Sequence, residues 1–139
     1  MEIDRNGLEV LGRDECVRLL ATRTIDRIGI SSEALPMILP VNYVVADGQV
    51  LLRTGMGTKL EAAVRRTVVA FEVDEIDEDR GTGWSVVVTG VTDARAPTEV
   101  DGEALACLER WVPGPDGRVV AVSLERISGR RLVPRAGSG

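Results

Sequence analysis

The sequence predicts a mainly β domain of the α+β class: an antiparallel barrel of six strands with short helices at its flanks. Three observations predict it. Six extended runs follow one another in hairpin-like order, and the helical patterns between them are short. An Asp47-Gly48 pair also joins two β-branched runs, a turn in which both positions favour positive φ. The 139 residues fit one domain with one core, and 44% apolar against 28% charged residues is the balance of a chain that folds.

Gly12-Arg13-Asp14-Glu15 opens a helix whose Cys16, Leu19 and Leu20 recur at i, i+3 and i+4, ending near Arg23. From Thr24 the period is two. Ile28 and Ile30 flank Gly29 in a first strand, residues 36–45 run extended up to Asp47-Gly48, and residues 49–53 return as the third strand. Gly55-Met56-Gly57-Thr58 breaks this pattern and leads into residues 59–66, a short helix of strong helix formers with Arg65 and Arg66 at its C-terminal end. Val68, Val69, Ala70, Phe71 and Val73 form the fourth strand, and the acidic residues 74–79 read as a solvated loop. Residues 84–91 are the clearest strand. Thr98-Glu99-Val100-Asp101 caps a third helix with Leu105, Leu108 and Trp111 on one face, closed by Pro113-Gly114-Pro115. Residues 118–127 alternate as the last strand, so residues 1–131 make one domain, and residues 132–139 read as a flexible tail resembling a protease-site linker. Six short strands leave a narrow barrel that side chains fill, which puts any ligand on its outside or between subunits.

Composition excludes several chemistries. The chain has no histidine, which removes the commonest general base, the Ser-His and Cys-His pairs and most zinc sites. Cys16 and Cys107 fall in predicted helices and in no CxxC, so they read as buried thiols. A formal charge of −5, with one Phe, one Tyr and two Trp, argues against nucleic acid as a partner. The opening residues lack the basic and apolar regions of a signal peptide, and no apolar run nears the roughly 18 residues of a membrane span. The expected location is the cytoplasm. Lys59 is the only lysine against sixteen arginines, which singles it out for a positional role.

Four pieces stand together: Pro40-Val41-Asn42-Tyr43, Leu52-Arg53-Thr54-Gly55-Met56-Gly57-Thr58-Lys59, Phe71-Glu72-Val73-Asp74, and Gly83-Trp84-Ser85-Val86-Val87-Val88-Thr89-Gly90. Their order and types resemble the pyridoxamine 5′-phosphate oxidase-like flavoproteins, in the short branch of the FMN-binding split β-barrel, over residues 11–131. The resemblance implies that the turn after the hairpin grips a cofactor phosphate through Arg53, Thr54, Thr58 and Lys59. Elementary chemistry agrees, because Gly55 and Gly57 let the backbone approach an anion, a helix start near Thr58 offers unpaired N–H groups, and Lys59 adds charge. The glycine spacing and residue order are not those of a Walker A loop.

The resemblance also implies that the strand with Pro40, Val41 and Asn42 runs along the ring system, and that Trp84 and Ser85 reach the cofactor from the second subunit of a homodimer. FMN is the expected cofactor, with the deazaflavin F420 as the alternative, whose acidic tail would call on Arg53, Arg65 and Arg66 but be repelled by a nearby 74–79 stretch. The expected activity is hydride or electron transfer to a small molecule through the cofactor, with no catalytic side chain required. The alternatives are a non-catalytic protein that binds or stores a flavin and an interaction module without a ligand. The C-terminal extension that carries the substrate-binding Arg and His of the true oxidase has no counterpart here, so oxidation of pyridoxamine phosphate is not expected. Without histidine, the mechanisms of the nitroimidazole-reductase and haem-degrading relatives do not carry over intact.

Overall fold

The computed structural model describes residues 1–54, 64–109 and 118–134. In it the period-two runs become strands that turn alternate side chains inward, as a pleated backbone must. The elements are β1 (Glu2–Ile3), β2 (Glu9–Leu11), α1 (Arg13–Leu20), β3 (Ile25–Ser32), β4 (Leu35–Ala46), β5 (Gln49–Thr54), β6 (Val68–Asp77), β7 (Thr82–Arg95), a 3-10 turn (Pro97–Glu99), α2 (Gly102–Glu109), β8 (Arg118–Ser123) and β9 (Ile127–Arg131). Every strand pair is antiparallel, in the order β1-β2-β9-β7-β6-β3-β4-β5-β8, and a further β7–β8 pairing closes the ring. Strands β3, β4, β5, β8, β7 and β6 thus form a closed six-stranded barrel, the split barrel the sequence predicts, with β9, β2 and β1 continuing outward from β7.

The barrel interior is apolar. Ile28, Leu52, Phe71, Val73, Val86, Val88 and Val122 are fully buried in it, and Tyr43 meets Phe71 edge to face with ring centroids 4.7 Å apart. The Tyr43 hydroxyl donates to Leu20 O at 2.5 Å, which ties the end of α1 to the barrel wall. Arg13 at the other end of α1 donates to Leu124 O at 2.6 Å. A second, smaller cluster lies on the outside of β5 and β8, where Leu51, Val119 and Ala121 pack against Ala104 and Leu108 of α2.

The structure corrects several sequence expectations. Beside the six barrel strands that the sequence predicts, three more, β1, β2 and β9, stand among the described residues. Residues 118–127 are not one strand: the chain turns after Ser123, and Ile127 begins β9, which pairs with β2 and β7. The acidic run is not a loop throughout, because β6 continues to Asp77 and its hairpin partner β7 starts at Thr82; a strand whose outer face meets solvent accepts carboxylates there. The hairpin between β3 and β4 turns on Glu33 (φ 50°) and Ala34 (φ 66°), a positive-φ pair that the residue types do not announce, whereas Asp47 and Gly48 (φ 52° and 72°) behave as expected. Leu108 is buried and Cys107 is exposed on α2, so only Cys16 is the expected buried thiol. Of the expected helix over 59–66, residues 59–63 lie outside the described residues, as does Trp111, and residues 64–66 form a turn. No helix among the described residues is long and apolar enough to cross a membrane.

Gly129 marks where α1 and β2 close on the barrel. A Cβ there would stand 2.7 Å from Cys16 Sγ, 3.1 Å from Ser85 O and 3.2 Å from Leu11 Cδ1. We expect Gly129→Ala to destabilise the fold by about 1–3 kcal/mol, the range of overpacking a closed core. Adding Cys16→Ala should recover part of that loss in urea unfolding, and a double variant no more stable than Gly129→Ala would show that the thiol contact is not the cause.

Candidate functional site

β4 belongs to both halves of the barrel: residues 35–42 pair with β3, and residues 43–46 pair with β5. At this handover Val41 and Tyr43 face the core, so Asn42 faces outward. It does not reach solvent. Asn42 is only 7% exposed, and its Nδ2 donates to Leu108 O of α2 at 3.0 Å. Arg53 of β5 stands opposite Val119 and, by alternation, on the same outer wall as Leu51; it is 4% exposed. The register Tyr43↔Leu52 places Asn42 and Arg53 one step further along their two strands, on that same wall. Apolar strands thus carry a buried amide and a buried guanidinium side by side, immediately before Gly55. Such groups are costly to bury unless other polar groups meet them.

The other expected residues divide between three places. Val41 is in the core, and Pro40 is exposed on the outer face opposite Arg27. Thr54 points to the other face of β5 from Arg53, fully buried, with Oγ1 3.5 Å from Arg118 O. Trp84 lies at the start of β7 between Glu75 of β6 and Arg131 of β9, half-buried against the core, and Ser85 stands between Asp74 and Arg130. Two strands, β6 and β3, separate β7 from β4 on this side of the barrel, so a single chain does not bring Trp84 and Ser85 to Asn42 and Arg53. Thr58 and Lys59 lie outside the described residues.

Sequence reasoning missed an ionic ladder across β3 and β6, because it exists only through their register. Arg27 stands opposite Glu72 and donates to Asp74 Oδ2 at 2.6 Å, with Glu72 Oε1 3.2 Å away. Arg23 holds the buried Asp26 at 2.7 Å. Carboxylate oxygens of Asp26, Glu72 and Asp74 all lie within 4.8 Å of one another, so at neutral pH they compete for two guanidinium groups. Burial, then the hydrogen bond and charge of Asp74, push the Glu72 carboxyl up to about 7, while the hydrogen bonds from Glu72 and Arg27 hold Asp74 below its ordinary value. The proton of the pair therefore belongs on Glu72.

A closed antiparallel split barrel with a short helix over a polar outer wall defines the class. The family model of pyridoxamine 5′-phosphate oxidase matches residues 12–131, and this chain belongs to that family. It is 41% identical over 128 residues to the Mycobacterium tuberculosis protein Rv0080, covering 88% of this chain and 84% of the relative. Among solved structures it is similar to the FAD-binding protein from Mycobacterium smegmatis, at 36% identity and a TM-score of 0.69, covering 88% of this chain and 96% of that one. A protein from Corynebacterium diphtheriae matches at 27% identity and a TM-score of 0.72, covering 91% and 98% of the two chains.

The Glu72 shift predicts a pH dependence. Its folded value of about 7 lies above the ordinary 4.5, so the protonated side chain contributes stability that is fully present below about 4.5 and is lost as pH rises through about 7. Glu72→Gln keeps a neutral group in place and lacks that loss. In urea unfolding its stability relative to the parent chain should rise between pH 4.5 and 7 and level off above, and a difference that does not change with pH would show that Glu72 does not titrate there.

Proposed function

We propose that this chain is a flavin-binding oxidoreductase that uses FMN, acts on a small molecule and works as a homodimer in the cytoplasm. The observation that carries this reading is the pairing of Asn42 with Arg53 on the outer barrel wall at the entrance to Gly55-Met56-Gly57-Thr58-Lys59, in a chain of this family. The residues present fit such a group. Arg53 and Lys59 offer charge to a phosphate, and the backbone of Pro40 and Val41 offers the edge of a strand. Asn42 is oriented by the bond from one Nδ2 hydrogen to Leu108 O, and its Oδ1 can accept from a ring N–H. Leu51, Val119 and α2 form the apolar part of the same wall, which keeps water from the ring. The flavin, when bound, supplies the hydride chemistry, and no side chain is assigned as acid or base. The FAD-binding M. smegmatis relative supports a flavin over an empty interaction module.

F420 is the second reading. The exposed Arg65 and Arg66 beside the buried Thr54 favour a cofactor with an acidic tail. Parallel fluorescence titrations with FMN, FAD and F420 decide the cofactor, and a chain that binds none of them overturns the reading. Turnover with reduced cofactor and a panel of acceptors separates an enzyme from a storage protein.

The homodimer reading rests on the outer face of β3, β4, β6 and β7. Ile38 is 74% exposed and Val68 62%, and the row Ile38, Gly29, Ala70, Thr89 crosses the sheet with small residues at its middle, beside the pair Val68 and Val91. A contiguous apolar face with a shallow centre suits a twofold copy of itself. A second copy would also bring a Trp84 and a Ser85 to the Asn42 wall that this chain's own pair does not reach. The expected result is a dimer in sedimentation at micromolar concentration, shifted to monomer by Ile38→Asp with Val68→Asp; a monomeric parent chain with cofactor bound would remove the reading.

Lys59→Ala should weaken FMN binding by about 1.5–3 kcal/mol, the scale of a charge-assisted hydrogen bond, with the fold intact. Riboflavin, which has no phosphate, is the comparison. Equal losses for both ligands would mean that Lys59 does not hold the phosphate.

A further inference from the structure

The outer face of β3, β4, β6 and β7 carries Ile25, Ile38, Val68, Ile76 and Val91, all large apolar side chains that stand exposed. Between Val68 and Val91 at one end of this face and Ile76 at the other, the charged side chains that the four strands place there are those of one cluster. It is the ladder of Arg27, Glu72 and Asp74. Ile38, Val68 and Val91 lie to one side of it along the strands, and Ile25 and Ile76 to the other. Arg130 of β9, at the margin beside Ser85, is taken by Asp4 at 3.0 Å.

The ladder does not balance by itself. Carboxylate oxygens of Asp26, Glu72 and Asp74 lie within 4.8 Å of one another, and two guanidinium groups meet them, Arg23 on Asp26 and Arg27 on Asp74. With every group ionised the cluster keeps one negative charge, and one proton brings it to zero. The neighbouring strands supply no further charge: β4 sets Pro40 opposite Arg27, and β7 sets Val87 opposite Glu72 and Ser85 opposite Asp74. Oε1 of Glu72 is buried and accepts no hydrogen bond, so an ionised carboxylate is poorly met there. Covering the apolar residues around the ladder is favourable, and covering an uncompensated charge among them is not.

We propose that this face is a proton-gated contact for a second copy of the chain: the copies join when the ladder of each holds one proton and part as that proton leaves. The proposal rests on the homodimer reading. Burial, then Asp74, push the Glu72 carboxyl up to about 7, which makes Glu72 the seat of the proton. Removing water from the ladder on contact acts in the same direction, because desolvation disfavours the charged form. Association is therefore strongest below about pH 7, where both copies already carry the proton, and weakens as pH rises above it.

The test is sedimentation equilibrium of the full chain at pH 6 and pH 8.5, at one ionic strength. The dissociation constant of the dimer should rise about tenfold or more between the two, as a tenfold difference in proton affinity between free and joined copies produces. Glu72→Gln and Asp74→Asn each remove one carboxylate charge from the cluster, and each should hold the dimer at pH 8.5 as the parent chain does at pH 6. Glu75→Gln removes an exposed charge from the opposite face of β6 and should keep the parent's pH dependence. Equal dissociation constants at the two pH values in the parent chain overturn the gate and leave the homodimer standing. A dependence that Glu75→Gln abolishes as fully as Glu72→Gln makes net charge the cause, which also overturns it. A pH-dependent dimer that survives Ile38→Asp with Val68→Asp puts the contact on another face and overturns the proposal too. Parent chain and Glu72→Gln both monomeric at pH 6 and at pH 8.5 remove the homodimer reading, and the gate with it.

Discussion

Ring closure by two shared strands is the constraint on which the rest of the molecule depends. The first ten residues of β7 pair with β6 and its last four pair with β8, while β4 passes from β3 to β5 at Asn42 and Tyr43. Because both strands serve both halves, the antiparallel ladder returns to its start, and residues 35–42 of β4, paired with β3 alone, keep a free second edge at the split. A ring of six strands is filled by its own side chains, and Phe71, Val73, Val86 and Val88 are among those fully buried in it. Polar chemistry is thereby confined to the outer wall and the mouth. The handover points are also where polar residues are held most firmly: Asn42 under α2 at one, and Thr92 clamping residues 64–67 at the other.

The barrel was largely legible in the sequence because its signals are local. Alternation in residues 84–91 and the Asp47-Gly48 turn each report on a few neighbours, and both hold. What was not legible depends on partners far along the chain. β9 is a strand only because β2 and β7 flank it, and the ion pairs from Arg131 to Glu9 and Glu15 and from Arg130 to Asp4 join segments more than a hundred residues apart. The Glu33-Ala34 turn shows the opposite failure. Its residues disfavour positive φ, and the eight paired positions of β3 with β4 impose it.

The same division runs through the site. Asn42 and Arg53 were legible through the resemblance, as members of the pieces over residues 40–43 and 52–59. Their burial and their sharing of one wall needed the β4–β5 register. The ladder of Arg27, Glu72 and Asp74 had no local signal, since Arg27 and Glu72 are 45 positions apart and meet only as cross-strand partners. Arg65, Arg66 and Arg118 read as ordinary surface arginines until closure of the barrel set them around one cavity.

The formal charge of −5 is therefore a poor guide to which ligands the molecule attracts. The carboxylates of Asp74, Glu75 and Asp77 lie at one end of β6, and the residues that lead into its other end belong to the arginine-rimmed mouth. At about 3.3 Å per residue, the ten residues of β6 set Asp77 roughly 30 Å along the strand from Val68. That separation is well beyond the Debye length of about 8 Å at physiological salt, so the acidic hairpin exerts little repulsion at the mouth. Part of the acidic charge is also neutralised where it stands, by Arg27 on Asp74 and Arg80 on Asp77, and Glu72 keeps its proton up to about pH 7. The acidic run is therefore no objection to a phosphate-bearing cofactor near the other end of β6.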